Sequence, residues 1–247
     1  MRILVADGVT LEAREWPGQA TAFLLVHGLA SNARMWDGVA EQLASRGHRV
    51  VAVDQRGHGR SDKPDTGYDF ATLTADLVAL MDALDLDRPV AAGQSWGGNV
   101  VLELGHRYPS RVAGVACIDG GTRDMAERLP DWEEASVVLA PPVFDNVRRD
   151  EIGAYMRRTH PDWPESGITG ALANFDVRDD GTVAPWLTRT RHMTILRELW
   201  QHRPTEVLPQ LTVPVCIVNA RDYDADHDIH AQKPELVAQL LLEAVGA

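Results

Sequence analysis

Gly93-Gln94-Ser95-Trp96-Gly97 is the stretch whose residue types and spacing point to chemistry. A serine with a glycine two residues to either side fits a nucleophile elbow, a sharp strand-to-helix turn that lifts one hydroxyl clear of the backbone. The glycines meet a steric demand, because a Cβ at either position would collide with neighbouring backbone. Beside a helix N-terminus the Ser95 oxygen could attack an electrophilic carbon. Backbone N–H groups and the helix dipole would then stabilise the negative charge that develops. A Gly/Ser-rich loop closing a βα unit would show the same letters. The setting favours the elbow: the apolar run Val90-Ala91-Ala92 precedes it, and Val100, Val101 and Leu104 recur at helical spacing after it.

The elements that must position this serine follow an alternating rhythm. Short strands are expected at residues 2–5 and 10–16 around the hairpin signal Asp7-Gly8. The run 22–26 is continuously apolar, as in a strand buried on both faces of a parallel sheet, and ends in His27-Gly28-Leu29-Ala30-Ser31-Asn32. A helix over 37–45 stops before Gly47, and the strand 49–53 leads into Asp54-Gln55-Arg56-Gly57-His58-Gly59-Arg60-Ser61. Residues 68–84 place Leu73, Leu77, Leu80 and Leu84 on one helical stripe. The elbow strand comes next; its helix runs to Arg107, and a strand over 112–118 closes at Asp119-Gly120-Gly121. Strand and helix in alternation predict an α/β fold, a mostly parallel central sheet with helices on both faces.

After Gly121 the rhythm stops. Residues 122–210 are rich in prolines, charges and large aromatics, and hold four of the seven tryptophans, Trp132, Trp163, Trp186 and Trp200. Helices near 124–134, 150–160 and 187–200 would make this an inserted cap over the active edge of the sheet. A strand over 214–219 and an amphipathic helix over 234–244 resume the core. The expected organisation is a core of 1–121 and 211–247 with a helical cap insertion of 122–210.

Composition narrows the partners. With 45% hydrophobic and 24% charged residues the chain is an ordinary globular one, long enough to bury a large core. A formal charge of -12 and the lack of any Lys/Arg cluster exclude nucleic acid and anionic membrane as expected partners. Cys117 and Cys216 lie in apolar runs and read as buried free thiols of a reducing compartment rather than a disulfide or a metal pair. Residues 1–8 are too short and too soon polar for a signal peptide, and no apolar run approaches the roughly 20 residues of a membrane span. A cytoplasmic location is expected. No histidine spacing of the H-x-x-x-H kind with acidic partners appears, so no metal is expected.

Three stretches in order, Val26-His27-Gly28-Leu29, Asp54 through Ser61, and Gly93 through Gly98, make the chain resemble the α/β-hydrolase superfamily in its capped serine esterase, lactonase and perhydrolase-like branch. The resemblance covers roughly 21–121 and 213 to the end. It implies a serine nucleophile, a base to take its proton and an acid to orient the base, in the chain order serine, acid, histidine. The base must then lie late. His227, seven residues before Pro234, stands at the family's usual spacing, with His230 as the alternative. The acid is Asp119, at the end of the strand after the elbow helix, or Asp222, after the strand 214–219. Asp119 is favoured, since an aspartate closing a buried strand is costly without a partner and an imidazole N–H would be one. The oxyanion hole would use the N–H groups of Trp96 and Leu29. His27, His58 and Arg56 read as braces of their loops. Trp36, Trp132, His192 and Trp200 are candidates to line an apolar pocket for a small-molecule substrate.

One departure stands out. Family members carry a helix and a further strand between the strand near Asn219 and the histidine loop, whereas here only residues 221–226 intervene. Either the crossover has been lost or a segment of the natural chain is absent from this sequence; the clean continuation into Ala225-Asp226-His227 favours the second. A true deletion would put in doubt whether His227 reaches Ser95.

The resemblance implies a cofactor-free serine hydrolase of a small to medium apolar carboxylic ester, lactone or thioester, working through an acyl-enzyme on Ser95. Dehalogenases and epoxide hydrolases of this superfamily use an aspartate where this elbow has Ser95. A perhydrolase or a carbon-carbon bond hydrolase on the same triad, and a non-hydrolytic ligand-binding protein or biosynthetic cyclase, are the alternatives.

Overall fold

The computed structural model describes residues 1–5, 8–244 and 246. The strands are β1 (Arg2–Leu4), β2 (Thr10–Trp16), β3 (Ala20–Val26), β4 (His48–Asp54), β5 (Val90–Gln94), β6 (Gly114–Ile118), β7 (Phe175–Val177), β8 (Val183–Pro185) and β9 (Val215–Val218). The helices are α1 (Asp37–Ala44), α2 (Phe70–Ala83), α3 (Trp96–Arg107), α4 (Met125–Arg128), α5 (Trp132–Val138), α6 (Arg149–Thr159), α7 (Glu165–Leu172), α8 (Arg189–Gln201), α9 (Pro204–Val207), α10 (Ile229–Gln232) and α11 (Pro234–Ala244).

The main sheet has the order β1-β2-β4-β3-β5-β6-β9. Five neighbouring strands, β4, β3, β5, β6 and β9, run parallel, and β1 and β2 add an antiparallel edge. Alternation along the strands sends side chains to two separate layers. Leu24, Val26, Val51 and Val53 pack with α2 and α3 residues such as Leu77, Leu80 and Leu104. Phe23, Leu25, Val50 and Ala52 pack with Val39 and Leu43 of α1 and Val237 and Leu241 of α11. Helices therefore cover both faces, as the alternating pattern predicts. The turn expected at Asp7-Gly8 falls partly outside the described residues, but β1 and β2 pair antiparallel with Ile3 opposite Leu11.

Between β6 and β9 the chain forms α4 to α9 and the hairpin β7-β8. The helix expected over 124–134 is two short ones, α4 and α5, on either side of Pro130. Helix α7 and the hairpin β7-β8, turning at Gly181 with φ +82°, were not legible in the sequence. Ile152, Trp163, Ile168, Leu172 and Val183 form the cap's apolar centre, which also takes Met35 and Ala231 from the core. Asn32 ties the two parts by donating from Nδ2 to the Gly170 carbonyl at 2.9 Å. On the other side His202 Nε2 meets Glu103 of α3 at 2.9 Å, while Asn99 Nδ2 meets His202 Nδ1 at 2.9 Å. Within the stretch expected to be cap, Val207 and Leu208 already pack on the core.

Two expectations about individual residues change. Cys117 is buried, and burial pushes its thiol up to about 12, but Cys216 on the edge strand β9 is only partly buried. His230, the alternative base, is wholly buried against the Trp36 ring, 4.5 Å between centroids, and lines neither of the two cavities that Ser95 lines. Neither of its ring nitrogens has a hydrogen-bond partner among the described residues. Burial, with the neighbouring His227 and His27 adding to it, pushes His230 from 6.5 down to about 3.

An unfolded chain takes up a proton on this residue as the pH falls below 6.5, whereas the folded chain does not. Stability that is present above 6.5 is therefore lost as the pH falls toward about 3, at about 1.4 kcal/mol per pH unit. His230→Leu removes the titrating group without orphaning a polar partner. Urea unfolding at pH 7 and pH 5 should show the variant gaining about 2 kcal/mol on wild type between the two. An unchanged difference would mean that His230 is not held neutral.

Candidate active site

The elbow is built by close approach. Ser95 has φ 52° and ψ -120°, a conformation that a residue with a side chain occupies only when its surroundings force it. A Cβ on Gly93 would collide with the Gly97 carbonyl, and one on Gly97 with the carbonyls of Val26 and His27. Gly120 lets the chain after β6 pass against the Ser95 backbone. Ser95 N–H donates to the Ile118 carbonyl at 2.9 Å, which fixes the turn to β6. Ser95 is the N-cap of α3, yet its hydroxyl makes no capping bond. The oxygen is left available at a helix N-terminus.

Asp119 directly follows β6 and is itself left-handed, with φ 46°. One carboxylate oxygen accepts from the Ala220 N–H at 2.9 Å and the other lies 2.6 Å from His227 Nδ1. His227 in turn has its carbonyl held by Nε2 of Gln94, the residue before Ser95, at 3.0 Å. Ser95 and His227 line the same two cavities. Asp222 stands apart: it is exposed and accepts from Asn219 Nδ2 at 3.2 Å, with no bond to a histidine.

The short connection after β9 is sufficient to deliver His227. A tight turn over Ala220–Tyr223 ends with Asp224 left-handed at φ 50°. Lys233 Nζ donates to the carbonyls of Tyr223 and Asp224, and the Asp226 N–H donates to Gln232 Oε1 at 2.7 Å. The absence of a further crossover and strand thus does not keep the histidine from Asp119.

The loop after β3 faces the elbow. The Leu29 N–H makes no hydrogen bond among the described residues, and Trp96 opens α3, where an N–H has no intrahelical acceptor. His27 and His58 brace this region. The Gln55 N–H donates to His27 Nε2 at 3.0 Å, so the ring donates from Nδ1 to the Gly28 carbonyl. His58 accepts from the Ala30 N–H and stacks on Trp96. Burial pushes His27 down and His58 well down, so both stay neutral struts. Arg56 forms a buried pair with Asp76 at 2.5 Å.

The larger cavity, about 1010 Å³, opens between core and cap and is walled by side chains such as Met35, Ile152, Met156, Phe175 and Leu187. His192 lines it, and burial pushes this imidazole down to about 4. The other pocket candidates are corrected. Trp36 is wholly buried in the core layer under α1. Trp132 and Trp200 pack on each other with centroids 5.6 Å apart, and Trp200 Nε1 donates to the Leu129 carbonyl at 2.7 Å. The tryptophans on the cavity wall are Trp163 and Trp186. Sequence reasoning also missed Asp226, whose Oδ2 accepts from Trp163 Nε1 and meets His160 Nδ1, both at 3.0 Å. These bonds join the cap to the residue before His227. The acid-rich stretch 222–228 was the only sign of it.

Comparison with known proteins agrees with this architecture. The profile of the family described as alpha/beta hydrolase fold matches residues 21–157, more than half of the chain. A non-heme chloroperoxidase of Streptomyces lividans is 29% identical over 230 residues, 89% of this chain and 81% of that protein. A 2-(acetamidomethylene)succinate hydrolase of Mesorhizobium japonicum is 32% identical over 160 residues, 65% of this chain and 56% of its own length. Several other curated relatives are likewise matched over less than two thirds of their length, among them Mycobacterium tuberculosis proteins matched over 39%. The crystal structure of E-2-(acetamidomethylene)succinate hydrolase superposes with a TM-score of 0.81 at 24% identity, covering 100% of this chain and 98% of that one. No helix among the described residues is long and apolar enough to cross a membrane. On the match of its sheet-forming half and the shared architecture, the chain belongs to the α/β-hydrolase fold family.

Proposed function

We propose that the protein is a serine hydrolase that cleaves a carboxylic ester, lactone or thioester through an acyl-enzyme on Ser95. The observation that carries this reading is the 2.6 Å contact of Asp119 with His227 Nδ1, at a wall shared with a serine held in a strained elbow. Asp119 accepts the Nδ1 proton and so leaves Nε2 as the base. His227 takes the Ser95 proton as the oxygen adds to the carbonyl carbon, and returns it to the leaving oxygen or sulfur. The N–H groups of Leu29 and Trp96 hold the oxyanion. Water then enters by the same route in reverse roles and frees the acid. The apolar cavity under the cap supplies a water-poor site in which such charge stabilisation is worth more than in solvent.

Perhydrolysis is the second reading. The likeness to a chloroperoxidase, by its name a user of peroxide, favours keeping it, with hydrogen peroxide replacing water as the acyl acceptor.

Ser95→Ala should lower kcat on a chromogenic ester by on the order of 10⁶-fold, because the members of such a triad act as a unit. A fluorophosphonate should label the wild type on Ser95 and leave the variant unmodified. Turnover undiminished in Ser95→Ala would overturn the mechanism; a protein that neither labels nor turns over esters would be a binding module or cyclase on this fold.

A further inference from the structure

Ser95 and His227 stand on the divide between two cavities. The larger is walled mainly by apolar side chains of the cap. The second, about 610 Å³, lies on the other side, between the turn after β6, helices α4 and α5 and the turn after β9. Three arginines line it: Arg123, Arg128 and Arg221. None of their guanidinium groups makes an ion pair or hydrogen bond among the described residues. By contrast Arg14, Arg49, Arg107, Arg111, Arg157 and Arg191 each meet a carboxylate.

Three acids share the wall, and two of them are held by other partners. Asp119 is engaged by His227 and Ala220. Asp124 accepts from the Thr205 N–H at 3.1 Å and its hydroxyl at 2.7 Å. The Glu127 carboxylate makes no hydrogen bond or ion pair among the described residues. The wall is formally balanced, three carboxylates to three guanidinium groups, but among the described residues the arginines keep their N–H donors unused beside Ser95.

We propose that the second cavity binds an anionic group of the substrate, a carboxylate or phosphate, while the apolar portion occupies the larger cavity. This rests on the reading of Ser95 as the nucleophile. The preferred substrate is then an ester, lactone or thioester with a negative charge on one side of the scissile carbonyl. A guanidinium presents paired N–H donors that match a carboxylate or phosphate edge, so the arginines hold that end and thereby place the carbonyl at Ser95. In the reaction the Ser95 oxygen forms a bond to the carbonyl carbon and the bond to the leaving oxygen or sulfur breaks. The serine proton passes through His227 to the leaving group, and water repeats the exchange in the second half.

Two pairs of esters test this, one with the charge on the acyl group (the 4-nitrophenyl monoester of adipate against 4-nitrophenyl hexanoate) and one with it on the leaving group (4-acetoxybenzoate against phenyl acetate). In one pair the anionic ester should have a kcat/KM about tenfold or more above its neutral partner at low salt. The advantage should shrink at about 1 M salt, where the screening length is about 3 Å. In the combined Arg123→Gln, Arg128→Gln and Arg221→Gln variant the ratio should fall to about one, and taking the ratio within each protein cancels any general loss of activity. Neutral esters preferred in both pairs, or an unchanged ratio in the variant, would overturn the proposal. Calorimetric titration with adipate and with 4-hydroxybenzoate reads the same site without turnover. One of them should bind wild type about tenfold more tightly than the variant, and equal binding of both would overturn the proposal even in a protein that hydrolyses nothing. A failure of ester turnover together with unlabelled Ser95 would instead count against the hydrolase reading.

Discussion

The carboxylate of Asp119 is the tie on which the geometry of the site depends. Through one oxygen it holds His227 Nδ1, and through the other the Ala220 N–H, so that the end of β6, the chain leaving β9 and the histidine loop meet at a single group. The backbone adds to this: the Asp119 N–H donates to the Val218 carbonyl at 2.7 Å, and the Ile118 carbonyl accepts from Ser95. A carboxylate at the carboxyl edge of a buried sheet needs partners to offset its desolvation, and here they are the His227 ring and the Ala220 N–H. This also explains how a chain without the usual last crossover keeps its histidine in place. The loop after β9 is anchored at Asp119, turned sharply at Asp224, and held from below by Lys233.

The elbow supplies the second constraint. Ser95 and Asp119 are both residues with side chains in left-handed backbone conformations, and both occur where neighbouring strands end. Such strain persists only when the surroundings over-determine it. Gly93, Gly97 and Gly120 let three backbones pack closely enough to do so. Behind the loop after β3, Asp54 receives the N–H groups of Ala33 at 2.7 Å and Arg60 at 2.8 Å, and the neutral rings of His27 and His58 fill the space between. The cap then closes over this edge and is latched to it by His160 and Trp163 at Asp226.

Much of this was legible because the signals are local. The strands around the elbow announce themselves as apolar runs, the elbow by its glycines and Asp119 by its place at the end of a strand, while His227 was picked out by the spacing to Pro234 that the family resemblance implies. Where the sequence misled, tertiary packing decided. Trp36, Trp132 and Trp200 looked like pocket residues by side-chain type alone, but which ring faces the cavity depends on how the cap helices rotate and dock. Trp163 and Trp186 face it instead. Helix α7, with Gly167 and Gly170 in Glu-Ser-Gly-Ile-Thr-Gly-Ala-Leu, has weak intrinsic propensity. It forms because those glycines let it approach Ala231 and Met35 closely, a contact invisible in the local pattern. The latch through Asp226 joins residues more than 60 positions apart and could not be read from spacing.

If Asp119 orients His227 and Asp222 is only a surface residue, their amide variants must separate cleanly in kcat on one ester. Asp119→Asn keeps the shape but favours the wrong imidazole tautomer, and should lose on the order of 10⁴-fold. Asp222→Asn should stay within about twofold of wild type, as a surface substitution does. Equal losses in the two variants, or a loss confined to Asp222→Asn, would contradict the assignment of Asp119 as the group that arms Ser95.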